Sequence, residues 1–376
     1  MNKIKILFFE QIYTKYVAQL AQTISSDEFD VTYLACITTK YWQDSAIANN
    51  NYNERKIKSI SIPIKKNSRG THYEVFSFPF LINLFRIKPD ILVIDPNPGL
   101  SIIYLIFAKA IGCKTVGFTT NLQDVSSFWG KLSNFILKRN DGFIDKYVVP
   151  SSVKKQMMID LGINKNKINV IGHGIDTKNF KPETSRRKIP TTKKIILFVG
   201  RFVSYKGIKY LIEGFDIVNK TLNDTFLVLI GDGPEKQTIN QLINEKKLSE
   251  NILQINNVIN SEMPQYYSEA DIIVVPSIKP EPFGLVYIEG MASGKPIVTF
   301  DAGGGEKDLI INEKNGLLVK LEDVNGLASA MLKLLSDDEL RKEMGLYARK
   351  FVEENYDFQI LASHWSKIIR DEIISS

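Results

Sequence analysis

The sequence predicts an α/β protein built from two successive doubly wound domains. Short apolar runs typical of buried strands alternate with amphipathic helical segments along most of the chain. The 376 residues exceed one typical core, and a segment rich in proline and charge, 182–194, interrupts the alternation. We therefore predict one domain over residues 1–185 and a second over 190–356, with a ligand at the carboxyl ends of strands.

The first half opens with a strand, helix and strand pattern and then repeats it. Residues 40–75 are polar and weakly patterned, and we predict a loop region with one strand near 57–64. The helix at 126–139 carries an apolar stripe that includes Leu132 and Phe135, and we expect that stripe to face the core rather than a membrane. The other predicted strands are 5–9, 29–35, 91–94, 115–119, 146–150 and 168–171, and the other predicted helices are 16–24, 101–111 and 151–161.

The alternation restarts after the linker. Strands are predicted at 195–199 and 225–230 and helices at 208–219 and 235–247. Residues 272–310 are interpreted as a strand, a loop, a short helix, a second strand and a glycine-rich turn. Helices at 325–335, 338–355 and 358–374 close the chain.

Composition excludes several classes of protein. Apolar residues make up 44% and charged residues 24%, which is ordinary globular composition. Two cysteines, Cys36 and Cys113, and three scattered histidines predict neither a disulfide framework nor a zinc site. The apolar run 99–113 is too short to span a bilayer, and the first residues lack the pattern of a signal peptide. We expect a cytoplasmic protein.

Charge is distributed unevenly. Residues 1–185 contain 24 Lys and Arg against 15 Asp and Glu, whereas the remainder is net negative. A basic half suits a partner with phosphates, such as an anionic membrane surface, although a solvated lysine-rich face is the simpler interpretation. Nucleic acid is not predicted, because no aromatic and basic motif or recognition helix accompanies the charge.

Residues 272–310 carry the chemistry. Glu281 lies in the predicted loop and Glu289 inside the predicted helix, and Phe283, Gly284 and Leu285 between them supply backbone N–H groups at a helix start. A helix start binds anions, and each carboxylate accepts hydrogen bonds from a diol. A nucleotide-diphosphate sugar, with an anionic middle and hydroxyls at both ends, fits this arrangement.

Two further strand ends add cations and glycines to the same predicted edge. The first strand of the second domain ends at Gly200, followed by Arg201 and Lys206, which could neutralise a diphosphate. The next strand ends in a turn that contains Gly231, where backbone can approach a ligand.

Together these pieces resemble family 4 of the retaining glycosyltransferases, which have the GT-B architecture of two facing Rossmann-like domains with a cleft between them. The matching segments are VIGHGID at 170–176, FVGR at 198–201 with Lys206, IGDGPE at 230–235, and VVPSIKPEPFGLVYIEGMASGKPIV at 274–298, which contains the family's Glu-x7-Glu pair.

The resemblance implies a role for each matched residue. Glu281 would contact the donor sugar, Glu289 the ribose hydroxyls, and Arg201 and Lys206 the diphosphate. Backbone at Phe283, Gly284 and Leu285 would complete the phosphate and sugar contacts, and backbone near Val258 would meet the base. The final helix, about 357–376, would cross back onto the first domain, which would bind a glycan or lipid-linked acceptor.

The first domain departs from the family pattern. Many members have a Gly-Gly pair after the first strand, whereas this chain has no glycine from Glu10 to Lys15. A histidine often follows the strand placed at 115–119, and Asn121 stands there instead, which can hold a sugar hydroxyl but cannot titrate. The expected mechanism is front-face attack, in which the leaving phosphate assists deprotonation. No Asp-x-Asp motif is present, so we expect no divalent metal and no other cofactor.

Three alternatives stay open from the sequence. A nucleotide-sugar epimerase or a phosphorylase can share this fold, a glycosidase could use Glu281 and Glu289 as its carboxylate pair, and a degenerate transferase could act as a sugar-nucleotide binding module.

Overall fold

A computed structural model describes residues 3–10, 15–36, 53–57, 60–67, 70–96, 101–119, 128–182, 188–256 and 258–374. The chain divides into two compact units, residues 1–174 with 358–376, and residues 175–357. The predicted boundary lay in the linker at 182–194, and the observed one precedes it. The amide of Ile175 donates to the carbonyl of Tyr356 (2.9 Å) and Phe180 packs in the core of the second unit, so residues 175–182 belong there.

Unit 1 contains a parallel sheet of seven strands in the order β3-β2-β1-β6-β7-β8-β9. Its strands are β1 (Ile4–Glu10), β2 (Phe29–Cys36), β3 (Asn53–Ile57), β6 (Ile91–Ile94), β7 (Lys114–Phe118), β8 (Lys146–Val149) and β9 (Ile168–Val170). A separate antiparallel hairpin joins β4 (Ile60–Asn67) to β5 (Gly70–Phe76). The prediction of one strand within 40–75 was therefore wrong, because the polar residues of these segments leave no clear apolar period in the sequence.

Helices cover both faces of this sheet. One face packs against α1 (Lys15–Ile24) and α13 (Phe358–Ile368), which continues as a π-helix over Ile369–Ile374. The other face packs against buried residues of α2 (Phe78–Ile87), α3 (Ser101–Ala110), α4 (Phe128–Asn140) and α5 (Ser152–Asp160). Adjacent residues of β1 alternate between the two cores, with Phe8 in the first and Phe9 in the second. Strands buried on both faces have the continuous apolar runs that the sequence displays.

Unit 2 has a parallel sheet of six strands in the order β12-β11-β10-β13-β14-β15. Its strands are β10 (Lys194–Val199), β11 (Thr225–Ile230), β12 (Ile252–Ile255), β13 (Ile272–Val275), β14 (Ile297–Phe300) and β15 (Gly316–Val319). Its helices are α6 (Ile208–Thr221), α7 (Lys236–Glu245), α8 (Met263–Glu269), α9 (Leu285–Ala292), α10 (Glu306–Leu309), α11 (Val324–Ser336) and α12 (Asp338–Asn355).

The strand order of unit 2 has a functional consequence. Counted along the chain from β10, the order across the sheet is 3-2-1-4-5-6, the classic dinucleotide-binding arrangement. The connections leave β10 and β13 in opposite directions, which opens a crevice beyond their carboxyl ends. Ligands of doubly wound proteins bind at this position. Among the described residues, no helix is long and apolar enough to cross a bilayer.

Candidate donor site in the second unit

The loops that follow β10 and β13 meet at the carboxyl edge of the unit 2 sheet. These strands are hydrogen-bonded neighbours, with Ile196 opposite Ile272 and Leu197 opposite Ile273. Parallel neighbours deliver the residues that follow them to the same edge. The predicted cations after β10 and the predicted carboxylate after β13 therefore start from adjacent positions.

A glycine locks the two loops together. Gly207 has a φ of +67°, and a Cβ there would lie 1.8 Å from the carbonyl oxygen of Pro276. The amide of Ile278 donates to the carbonyl of Tyr205 at 2.8 Å. This close approach fixes the short 3₁₀ turn Ser204–Lys206 on the loop after β13.

Lys206 and Glu281 form an ion pair across the two loops. Nζ of Lys206 lies 2.7 Å from Oε2 of Glu281, and each side chain is only 14% exposed. The hydroxyl of buried Ser277 donates to the other carboxylate oxygen. Both oxygens of Glu281 are thus engaged, and the carboxylate is held at the crevice in a defined orientation.

The glycine-rich turn after β14 supports the backbone that carries Glu281. The amide of Gly305 donates to the carbonyl of Glu281 at 2.8 Å. A Cβ on Gly304 would lie 2.5 Å from the Glu281 nitrogen, and one on Gly305 would lie 2.5 Å from the Phe283 Cα. Only glycine permits this contact, so the turn is a close-packed support for the loop.

Helix α9 begins directly after this loop. Gly284 precedes it with a φ of +94° and no side chain caps its first turn. Phe283 is buried beneath the loop, while Leu285 is exposed. The first N–H groups of a helix have no intrahelical partner, so the start of α9 is chemically suited to an anion, and the anion-binding role given to it stays a prediction.

Glu289 lies one turn further along α9 and is half-buried. Its Oε2 accepts a hydrogen bond from the hydroxyl of Tyr267 at 2.6 Å. Burial raises the pKa of Glu289, and the Tyr267 hydrogen bond opposes that rise. Burial and the neighbouring carboxylate raise the pKa of Tyr267, which therefore remains a donor.

The turn that follows β11 lies at the same sheet edge, on the side of β10 away from β13. Gly231 has a φ of +146°, and a Cβ there would lie 1.9 Å from the carbonyl oxygen of Gly200. Lys206 extends over Gly200, where a Cβ would lie 3.9 Å from the lysine Cδ. Arg201 is exposed beside them and, within the described part of the chain, has no ion-pair partner. Val258 is half-buried and packs on the unit 2 core.

The structure thus brings Glu281 and Lys206 into direct contact and places Gly200, Gly231 and Arg201 at the same sheet edge. Asn121 lies outside the described residues, so its assignment stays a prediction.

The sequence analysis missed Ser277 and Tyr267, the two hydroxyl partners of the carboxylates. Ser277 follows β13 closely, which is a weak signal, whereas nothing near Tyr267 in the sequence indicates its contact with Glu289. Among the described residues, no group of His, Cys, Asp or Glu side chains is placed to hold a metal ion.

Two family models match the chain. Residues 14–179 match the family described as Glycosyltransferase Family 4, and residues 179–351 match Glycosyl transferases group 1. An uncharacterised glycosyltransferase of Methanocaldococcus jannaschii is 30% identical over 223 residues, which cover 57% of this chain and 56% of that protein. The chain therefore spans about half the length of that relative. A GDP-mannose-dependent α-(1-6)-phosphatidylinositol monomannoside mannosyltransferase of Mycobacterium tuberculosis is 22% identical, covering 70% of this chain and 72% of that protein.

A solved structure shares this fold over nearly the whole chain. The crystal structure of Alr3699/HepE from Anabaena, in complex with UDP and glucose, superposes with a TM-score of 0.77 at 16% identity. The match covers 98% of this chain and 100% of that one. At this identity the likeness shows the fold alone, and it confirms the predicted GT-B architecture of two Rossmann-like domains.

Proposed function

Because the chain belongs to the family 4 glycosyltransferases, we propose that it moves a hexosyl group from a UDP- or GDP-sugar to an acceptor hydroxyl with retention of configuration. The observation that carries the proposal is the Lys206–Glu281 pair at the switch point of unit 2. A cation and a carboxylate fixed side by side match a donor whose diphosphate adjoins a sugar with free hydroxyls.

We assign the anionic part of the donor to the cations and the helix start. Arg201 and Lys206 would neutralise the diphosphate, and the amides at the start of α9, from Phe283 to Leu285, would donate to phosphate and sugar oxygens. With this counter-charge the reaction is proposed to need no divalent metal. Lys206 would exchange part of its contact with Glu281 for the diphosphate when the donor binds.

We assign the two hydroxyl-rich ends of the donor to the two carboxylates. Glu281 would accept from the sugar hydroxyls and Glu289 from the ribose hydroxyls, with Tyr267 holding one oxygen of Glu289 in place. Backbone near Val258 would contact the base.

The proposed reaction is a front-face displacement. The bond between the anomeric carbon and the diphosphate oxygen breaks, and the acceptor oxygen bonds to the same face of that carbon. The departing phosphate oxygen takes the acceptor proton. In this scheme Arg201 and Lys206 stabilise the negative charge that grows on the diphosphate, and Asn121 orients a sugar hydroxyl.

We propose a glycan or lipid-linked acceptor in cell-surface polysaccharide synthesis, at the cytoplasmic face of an anionic membrane. A named relative acts on a phosphatidylinositol mannoside, which supports an acceptor of this class. The basic charge of residues 1–185 is consistent with work at such a surface.

Calorimetry with UDP and GDP tests the donor assignment. Arg201→Ala and Glu289→Ala should each abolish measurable nucleotide binding, and unchanged affinity in both variants would exclude the assigned site. Lys350→Ala, an exposed change elsewhere in unit 2, is the control.

Product analysis with a nucleotide sugar separates the alternatives. Transfer requires an added acceptor, an epimerase converts the donor without one, and a phosphorylase requires inorganic phosphate. A glycosidase would hydrolyse a simple aryl glycoside, and a binding module would bind the nucleotide without turnover. Nuclear magnetic resonance of the product reports its anomeric configuration, and an inverted product would contradict the proposed mechanism.

A further inference from the structure

Three helices on one face of unit 1 expose an unusual number of large apolar side chains. Of the fifteen such side chains exposed in the described part of the protein, seven lie on α2, α3 and α4. All three helices contribute buried residues to the same core, on the side of the sheet opposite α1 and α13. We call this surface the α2–α4 face; its exposed apolar residues are Phe78, Ile82, Phe85, Ile106, Phe107, Leu132 and Phe135.

Helix α2 directs an apolar stripe outward. Phe78, Ile82 and Phe85 follow one another at intervals of four and three residues, the spacing of one helical face, and Phe78 is 63% exposed. The ring of Phe85 meets that of Phe107 on α3 at a centroid distance of 5.7 Å. The apolar surface is therefore continuous from α2 to α3, and contiguous exposed patches of this kind mark interaction sites.

Helix α4 adds charge to the same side. Phe135 is 64% exposed and Leu132 is also exposed, so the predicted burial of this stripe was wrong for these two residues. Lys131, Lys138 and Arg139 are exposed around them. An outward apolar pair bordered by cations is typical of helices that lie on anionic lipid.

The helices of the α2–α4 face are rich in cations, as far as the described ranges of the chain extend. The three helices contain five cations and no carboxylate. Two carboxylates that follow α4 are already paired, Asp141 with Lys167 at 3.3 Å and Asp145 with Lys109 at 2.5 Å. The other four cations have no ion-pair partner among the described residues. Two copies of this face would oppose like charges, which disfavours self-association.

We infer that the α2–α4 face docks on an anionic lipid surface, with its aromatic and aliphatic side chains inserted between headgroups and its cations bound to lipid phosphates. The inference rests on exposure and charge in unit 1 and is independent of the donor site in unit 2. It goes beyond the proposed function by naming the surface and the side chains that enter the lipid.

Vesicle sedimentation tests the inference with matched variants. The protein should pellet with phosphatidylcholine vesicles that contain phosphatidylglycerol, at low salt, and should stay in solution with phosphatidylcholine alone. Lys138→Gln with Arg139→Gln should weaken binding about thirtyfold, since each cation at an anionic surface contributes a factor of roughly five. The double change Lys342→Gln with Lys350→Gln, on exposed lysines of unit 2, should have little effect.

Insertion is tested separately from charge. Phe135→Trp should gain fluorescence that brominated lipid quenches, whereas Leu346→Trp, at a unit 2 position exposed to 63%, should not be quenched. Phe135→Ser should weaken vesicle binding and Leu346→Ser should not.

Several outcomes would overturn the inference. They are no pelleting with anionic vesicles, equal quenching at both tryptophan positions, or a self-associated protein that Phe135→Ser converts to monomer without any lipid binding. Nucleotide affinity, measured on the same variants, should be unchanged. If the wild-type protein did not bind nucleotide, the proposed function would be contradicted, but the result of the vesicle experiment would still be valid.

Discussion

The ion pair between Lys206 and Glu281 gives a stability prediction whose size follows from its geometry. Nζ and Oε2 are 2.7 Å apart and each side chain is 14% exposed. At an effective dielectric constant of about 20, unit charges at that distance attract by roughly 6 kcal/mol, from which the lost hydration of both ions is subtracted. Removing one partner leaves the other charge uncompensated, so Lys206→Met and Glu281→Gln should each destabilise the loop by about 3 kcal/mol.

A double-mutant cycle tests this coupling. The variant with both changes should lie within about 1 kcal/mol of wild type, because no uncompensated charge remains. Hydrogen exchange of residues 276–283, followed by mass spectrometry, reports the local opening free energy even if the two units unfold separately. Lys209→Met is the control, since its Nζ lies 3.8 Å from Glu213 and its side chain is 70% exposed. Strict additivity of the two single changes would refute the reasoning.

The same pair gives opposite predictions for nucleotide and for sugar. In Glu281→Gln, Lys206 loses its competing carboxylate, so UDP or GDP should bind at least as tightly as to wild type while sugar transfer is lost. In Lys206→Met, both nucleotide affinity and transfer should fall. Equal loss of nucleotide affinity in the two variants would contradict the division of donor contacts between them.

Two further changes probe the site, and a third probes the packing of unit 2. Gly207→Ala should cost about 2 kcal/mol more stability than Gly303→Ala in thermal or urea unfolding, since both have positive φ but only the first overlaps a backbone oxygen. Calorimetry across pH should find that nucleotide affinity falls as the pH drops through the raised pKa of Glu289, since only the ionised carboxylate keeps both oxygens as acceptors. Tyr267→Phe should move the midpoint of this change to higher pH, because the Tyr267 hydrogen bond lowers the pKa of Glu289. Arg349→Met should lower the melting temperature, because its guanidinium donates to three backbone carbonyls whose loss costs about 1 kcal/mol each or more.

Control variants test the last two predictions, on pH dependence and on Arg349. Glu289→Gln should remove the carboxylate's part of the pH dependence and leave only the titration of the nucleotide phosphate, so a persistent shifted midpoint would exclude Glu289 as its source. Lys350→Met, next to Arg349 and 72% exposed, should leave the melting temperature nearly unchanged.

The sequence predicted that Lys206 and Glu281 meet at the carboxyl edge of the unit 2 sheet, because both residues follow strand ends. Lys206 and Glu281 are 75 residues apart in the chain, but parallel strands in the 3-2-1-4-5-6 order bring the ends of the first and fourth strands together. Gly231 was predicted to lie in a turn and Gly207 was not singled out, and the structure shows the same cause for glycine at both positions: a backbone oxygen occupies the space of a side chain.

Partners that depend on side-chain direction were not predictable in the same way. Tyr267 reaches Glu289 from α8, an element whose rotation about its axis no local pattern fixes. The predicted boundary between the units differs from the observed one because prolines and charged residues are typical of linkers and drew the prediction to 182–194. The observed division depends instead on where residues 175–180 pack. The strands β12 and β15 were also missed, because Gln254 interrupts the apolar run of β12 and β15 begins at Gly316, so neither shows the bounded apolar run by which β6 and β13 were predicted.

The stripe on α4 shows how periodicity can mislead about function. Counting apolar residues identifies a helical face but does not say whether that face meets protein or lipid, because both environments favour the same side chains. In the structure Leu137 of α4 enters the core, while Phe135, two positions earlier and therefore on another side of the helix, is 64% exposed. The two faces differ in their neighbouring charges. Lys138 and Arg139 border the exposed face, and the α4 sequence contains no carboxylate that could neutralise them. Because solvated protein surfaces normally mix both signs of charge, we interpret this helix, which exposes an apolar pair among cations and contains no carboxylate, as one suited to the anionic lipid that we infer as its partner.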